Sequence, residues 1–292
     1  MKGFELLEPN SMDEAFRFLR EYGDEAKVYA GGTALVKLMK KRLVHPSHLV
    51  NIKGLKDLHY IREDGEGLKI GALATLREIE TSSLVRQRLK AISEMVHTIG
   101  SVQIRNVGTL AGNLCFADPA SDPAPLLIAL GANLKIASPG GSRILPLEEF
   151  FVDFYETVLS QGEILEEIQV PFLPEDSGAV YLKHTMRVAF DLGVVGAAVK
   201  LEVNAKEGIC MRPRIVLGGV ASTPVRLNKA EELLKGKSIN DALIMTVAMA
   251  ASTEVDPIQD VRASAEYRRE MIEVFVERGL QKAWERARGG VS

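Results

Sequence analysis

Cysteine is scarce in this 292-residue sequence, and the two present, Cys115 and Cys210, cannot build a disulfide framework, a four-cysteine zinc site or a self-contained iron–sulfur cluster. Any metal redox chemistry associated with the chain must therefore sit on another chain. The five histidines, at positions 45, 48, 59, 97 and 184, show no HExxH or other ligand spacing, and no metal is expected. An excess of positive charge is also missing: a formal net charge of −3 gives no overall attraction to nucleic acid. The longest apolar run, around 126–130, is far too short to span a bilayer, and the N-terminus MKGFELLEPN has no signal-peptide apolar region, so a cytoplasmic protein without a membrane span is expected. There is no GxGxxG after a strand, no P-loop and no GxSxG elbow, so a nucleotide would need a different cradle and hydrolase chemistry has no support.

What remains is the composition of a globular protein, 46% hydrophobic and 26% charged, long enough for two domains. Its most informative stretch is TIGSVQIRNVGTLAGNLCFADPASD, residues 98–122. Gly100, Gly108 and Gly112 stand there among small and hydrogen-bonding residues, which reads as a loop built to hold something. Glycine permits close backbone approach, so Gly108 to Asn113 could point successive N–H groups into one concavity suited to a diphosphate, with Thr109 and Asn113 adding side-chain bonds. A second loop, Ala30-Gly31-Gly32-Thr33, lies between the strand-like 27–29 and the helical 35–39, and two such loops could clasp one diphosphate. The alternative is that Gly31 and Gly32 simply make a tight turn. Cys115 reads as a small buried hydrophobe or, alternatively, a functional thiol. Asp122 reads as the cap of a helix beginning at Pro123, or as an acceptor for a sugar hydroxyl at the rim of the loop.

In chain order, Ser11 and Glu14 form a capping-box pattern for a helix that should stop at Gly23. Strands are expected near 28–30 and 49–52, a hairpin at 58–72, and a helical region from Thr75 and Glu78 up to Gly100, with His97 near its end in a capping or core role or, alternatively, sensing charge. A helix after Asp122, a strand at 133–137 and another at 164–170 continue an α/β pattern. Turn formers at 171–178 mark a domain boundary. Beyond it, strands at 179–184, 193–203 and 214–220 with short connections favour antiparallel pairing, and helices come after them near 226–234, 241–252 and 262–286. A sheet followed by helices indicates α+β. The Arg268-Arg269-Glu270 stretch of the last helix reads as a solvated face.

With both glycine loops in place, the chain resembles the FAD-binding medium subunit of the molybdenum hydroxylases, the xanthine dehydrogenase and carbon monoxide dehydrogenase family. The matching segments are VYAGGTALVKLMK at 28–40, the run 98–132, GEILEEIQVP at 162–171, RIVLGGVASTPVRLNKAE at 214–231 and DVRASAEYRREM at 260–271. The resemblance implies an α+β protein: a two-part FAD-binding domain of the vanillyl-alcohol-oxidase type at 1–172, with subdomains about 1–54 and 55–172. A smaller domain with an antiparallel sheet and a helical bundle would occupy 178–292. It implies that Ala30, Gly31, Gly32, Thr33, Ala34 and Leu35, with Thr109, Ala111, Gly112 and Asn113, hold the FAD diphosphate. Asp122, Leu165 and Lys183 would approach the rest of the cofactor. Ala34 departs from the family, which commonly has a polar residue there, so one cap or hydrogen bond is missing at a cost of roughly 0.5–2 kcal/mol. The segment 183–191 matches the family's loop beside the flavin ring, where Phe190 either shields the ring or gates an acceptor, or is an ordinary packed aromatic.

The function implied is electron transfer, from iron–sulfur clusters of a partner through FAD to an external acceptor, with no side chain acting as nucleophile or general base. The implied partners are an iron–sulfur small subunit and a molybdopterin large subunit in a dimer of heterotrimers, and the count of two cysteines fits that division of labour. Two alternatives stay open: a self-contained flavin oxidoreductase of the same fold, and a scaffold subunit that has lost its flavin.

Overall fold

The computed structural model describes residues 1–187, 191–204 and 206–289. The chain begins with a parallel three-stranded sheet in the order Glu5–Leu7, His48–Asn51, Ala26–Tyr29. Parallel neighbours need crossovers, supplied here by the helices Met12–Tyr22 and Leu35–Lys40. Ser11 Oγ accepts the Glu14 N–H and the helix buries Ala15, Phe16 and Leu19 before Gly23 turns the chain at φ +55°. The Glu14 carboxylate reaches back to the Asn10 N–H at 2.9 Å, one residue earlier than a capping box would place it.

Residues 61–171 do not form the parallel arrangement that the α/β pattern suggests. Five of their strands run antiparallel in the order Ile61–Glu63, Gly67–Gly71, Ile164–Pro171, Asn133–Ser138, Gly141–Pro146, and Phe151–Asp153 pairs separately with Glu156–Thr157. Strand Gly141–Pro146 is unexpected because it is an edge with mostly exposed side chains and carries no alternating pattern. The helical region before Gly100 is three helices, Leu76–Thr81, Ser83–Arg88 and Lys90–His97. Thr75 and Glu78 make a complete capping box, and Ser82 stops the first helix by capping the second.

A buried ion cluster anchors the next segment. Arg105, 4% exposed, donates Nε to Glu80 Oε2 at 2.9 Å and Nη1 to the carbonyls of Ile99 and Gly100 at 3.0 and 2.9 Å, pinning the start of the 98–122 stretch. His97 is neither cap nor core: its largely exposed ring reaches Glu80 Oε1 at 2.7 Å. Burial pushes the Glu80 carboxyl up, but bonds from His97, Arg105 and Arg77 outweigh it and hold the group at about 2. A depressed carboxyl contributes stability that is complete above its unfolded pKa and disappears as pH falls through the folded value. The cluster is therefore worth about 3 kcal/mol above pH ~4.5, lost on approaching pH ~2. Urea unfolding of wild type and Glu80→Gln should show a stability gap that closes across this window; a gap independent of pH would contradict the assignment.

Helix Pro123–Leu130 contains no polar side chain and all eight residues are buried. A helix apolar on every side must be covered on every side. It packs against strand Ile164–Pro171 on one flank and against a second sheet on the other. That second sheet is antiparallel, ordered Ser177–His184, Val195–Asn204, Ile209–Gly218, Val225–Arg226. With helices Asn228–Leu234, Asp241–Glu254 and Ala265–Gly289 it encloses its own core around Val199, Leu217, Val247 and Val276. Arg268 does not lie on a solvated face. It is fully buried, its guanidinium donating to the carbonyls of Val194 and Gly219 and to Asp260 Oδ1. Among the described residues no helix is long and apolar enough to cross a membrane.

Candidate functional site

The two glycine loops meet. A Cβ on Gly31 would overlap the carbonyl oxygen of Val107 and lie 2.8 Å from Gly108 Cα, while one on Gly108 would sit 3.5 Å from Thr33 Oγ1. Only glycine at 31 lets the backbones approach this closely. Gly32 has φ +72°, which turns the chain into helix Leu35–Lys40, and the Val36 N–H is donated back to Gly32 O at 3.0 Å. Among the described residues, none of the N–H groups from Gly31 to Ala34 is donated to a protein acceptor. Ala34 occupies the N-cap position without a side-chain bond, as its methyl group dictates. This run of free donors borders a cleft of about 610 Å³ lined by Tyr29, Gly31–Thr33, Val107 and the lysines at 37, 40, 41 and 53. Free backbone donors in a cleft lined by four lysines, of which Lys53 rests its ammonium on the Tyr29 ring and 3.3 Å from its hydroxyl, suit a multiply charged anion such as a diphosphate.

The second loop contributes differently from the expectation. Most of it is helical: Val102–Arg105 and Leu110–Phe116. Thr109 caps the latter, its Oγ1 accepting the Gly112 N–H at 3.1 Å, and the Asn113 N–H goes to Thr109 O at 3.1 Å. The Gly108 N–H is donated to Ile104 O at 2.8 Å. The Leu110 N–H goes to Ala74 O at 3.4 Å, so among the described residues only the Thr109 and Ala111 amides of 108–113 lack a protein acceptor, and the loop does not present six successive free donors. Gly112 has a local role: a Cβ there would press to 2.8 Å from the capping Oγ1. Ala111 is buried behind it. The carboxamide oxygen of Asn113 accepts from Ser121 Oγ at 2.6 Å, joining this helix to the turn before Asp122.

Asp122 does not cap helix Pro123–Leu130. Its own backbone is helical (φ −71°, ψ −39°), and its side chain makes no capping bond. The buried carboxylate faces the second sheet, accepting from Tyr181 Oη at 2.7 Å and Lys183 Nζ at 2.8 Å. Burial pushes the carboxyl up while the Lys183 charge and both hydrogen bonds oppose the shift. Burial and the Asp122 charge together push the Tyr181 phenol well above its ordinary range, so it stays a donor. Leu165 is a core residue, 3% exposed, at the bulge of strand Ile164–Pro171, and adds an apolar surface without polar contact to Asp122 or Lys183. Cys115, partly buried, packs against the first core, and burial pushes its thiol up to about 12. Phe190 lies outside the described residues.

The structure thus gathers the sequence-predicted residues into two groups, Gly31–Leu35 against 107–109 and Asp122 with Lys183, bridged by Asn113 and Ser121. Missed from sequence were the lysine rim and Tyr181. Lys37, Lys40 and Lys41 come after the glycine turn at helical spacing, and Tyr181 precedes Lys183 by two on one strand, so both signals were present; Lys53 comes from another element and left none.

Comparison with known proteins agrees along the whole chain. The profile of the FAD binding domain in molybdopterin dehydrogenase matches residues 2–173, and that of the CO dehydrogenase flavoprotein C-terminal domain matches residues 180–283. The chain is 37% identical over 285 residues to the 6-hydroxypseudooxynicotine dehydrogenase complex subunit alpha of Paenarthrobacter nicotinovorans, covering 98% of this chain and 96% of that one. It is 34% identical over 284 residues to the carbon monoxide dehydrogenase medium chain of Hydrogenophaga pseudoflava, covering 97% and 98%. A solved structure of carbon monoxide dehydrogenase from H. pseudoflava, lacking the Mo-pyranopterin moiety, superposes with a TM-score of 0.94 over 98% of both chains at 34% identity. The chain therefore belongs to the family of FAD-binding subunits of the molybdenum hydroxylases, a flavoprotein component of multi-subunit dehydrogenases with FAD as its cofactor.

Proposed function

We propose that this chain is an electron-transfer subunit that receives electrons from the iron–sulfur clusters of a small partner subunit and delivers them, by way of its FAD, to an external acceptor. A large molybdopterin subunit would complete the complex as a dimer of heterotrimers in the cytoplasm. The observation that carries the reading is the run of free amides at Gly31–Ala34, opening onto a lysine-lined cleft and held against the second glycine loop. In this reading those amides and the lysine rim bind the diphosphate, and Thr33 and Thr109 order its walls. Leu35, Leu165 and Ala111 support the apolar side. Asp122, set by Lys183, accepts a hydroxyl of the cofactor's sugar-like chain. FAD, when bound, supplies the redox chemistry; the side chains bind, orient and exclude water.

The same reading assigns the two-part fold of residues 1–172, about 1–54 and 55–172, to the vanillyl-alcohol-oxidase type, with 178–292 as a separate domain. Helix Pro123–Leu130, packed on both sheets, would transmit the position of one to the other. Co-expression with candidate small and large subunits tests the partnership. The chain should co-purify with both and show no substrate turnover alone. Turnover by the isolated chain would instead support a self-contained oxidoreductase.

A further inference from the structure

We propose that Tyr181 is a positioning residue for the cofactor: together with Lys183 it occupies both oxygens of the Asp122 carboxylate, so that strand Ser177–His184 sets the acid that faces the cofactor from the start of helix Pro123–Leu130. The inference rests on the functional reading above, in which FAD lies against Asp122.

Tyr181 and Lys183 are two apart on strand Ser177–His184 and so share one face. From that face Tyr181 Oη reaches Asp122 Oδ1 at 2.7 Å and Lys183 Nζ reaches Oδ2 at 2.8 Å. The neighbouring backbone leaves room for this pair. Gly196 stands opposite Lys183 in the sheet, and a Cβ there would overlap the Tyr181 hydroxyl. Gly193 is placed so that its Cβ would lie 3.6 Å from Lys183 Cγ and 3.9 Å from Asp122 Oδ1. An ammonium on a flexible stem neutralises the carboxylate without fixing its plane; a second donor on a rigid ring fixes it. The groups facing Asp122 are Lys183 and Tyr181 from the strand and Asp118 from the turn before it. Burial and Asp118 favour the protonated acid, and the two donors favour the carboxylate that can accept a cofactor hydroxyl. Removing the phenol therefore makes Asp122 easier to protonate.

The test is an FAD titration of the full-length chain across pH, for wild type, Tyr181→Phe and Gly196→Ala, with unfolding midpoints measured alongside. Tyr181→Phe should weaken FAD binding about tenfold at neutral pH, the effect of losing one hydrogen bond to a charged group. It should also move the acid limb of binding to higher pH. Gly196→Ala, which displaces the same hydroxyl, should act in the same direction and add nothing further in the Tyr181→Phe background. If Tyr181→Phe lowers only the unfolding midpoint, with affinity and acid limb unmoved, Tyr181 is merely adhesive between the sheets and the proposal is wrong. A wild-type chain that binds no FAD, either alone or assembled with its partner subunits, overturns the functional reading itself, and this inference with it.

Discussion

Replacing Gly31 with alanine should strip the flavin from the protein. The added Cβ would overlap the Val107 carbonyl oxygen and stand 2.8 Å from Gly108 Cα and 2.9 Å from the Val107 carbonyl carbon. All three are backbone atoms, so no side-chain rotation relieves the clash. The loops must separate by about an ångström, enough to take well-directed N–H groups out of hydrogen-bonding range of an anion. Losing two such bonds to a charged group costs about 3–6 kcal/mol, a loss of affinity of at least a hundredfold. The ratio of flavin to protein absorbance after gel filtration should fall below about a tenth of the wild-type value. Gly140→Ala provides the control, since nothing lies within 4 Å of a Cβ there, and it should retain its flavin fully. Equal flavin content in both variants would remove the Gly31 loop from the site.

The second large effect concerns stability. Arg268→Met should destabilise the chain by roughly 3–5 kcal/mol, because it leaves a charge partner and buried carbonyls uncompensated. The guanidinium joins three separate pieces of chain: the Val194 carbonyl, the Gly219 carbonyl at 2.6 Å and Asp260 Oδ1 at 2.5 Å. Methionine fills much of the volume and replaces none of these donors. At about 2–4 °C per kcal/mol for a unit of this size, thermal unfolding should begin roughly 10 °C lower. Arg268→Lys should rescue only part of this, since an ammonium cannot reproduce the planar fork that reaches three acceptors. A shift within about 1 °C for Arg268→Met would show that the buried guanidinium is a passive passenger.

These two residues also show what the sequence could express. Gly31 was legible because a glycine pair between a strand and a helix signals close approach, and close approach is what the fold uses it for. Arg268 was not: beside Arg269 and Glu270 it looks like a solvated face, and only the return of Val194, Gly219 and Asp260 to the same helix makes burial favourable. Asp122 misled for a related reason. Aspartate before proline at the start of an apolar run has the composition of a cap, but its helical backbone turns the carboxylate away from the helix and towards a strand some sixty residues on. The helix at 110–116 hid behind Gly112 and Asn113, whose weak propensity is overridden by the Thr109 cap and by packing, and that at 102–105, four residues capped by Ser101, is too short to leave a periodic signal. Local periodicity and turn chemistry thus carried the element order and the first half of the site. Contacts between distant segments carried the rest.

The proposed role depends most on the chain holding FAD at the Gly31 cleft, and an absorption spectrum of the purified protein tests this directly. It should be recorded for the chain alone and co-expressed with candidate partner subunits, with the released chromophore identified after denaturation. The expected result is the bands of an oxidised flavin and release of FAD, lost in Gly31→Ala and kept in Gly140→Ala. A protein that stays colourless even within the assembled complex would contradict that role and leave a flavin-free scaffold as the remaining reading.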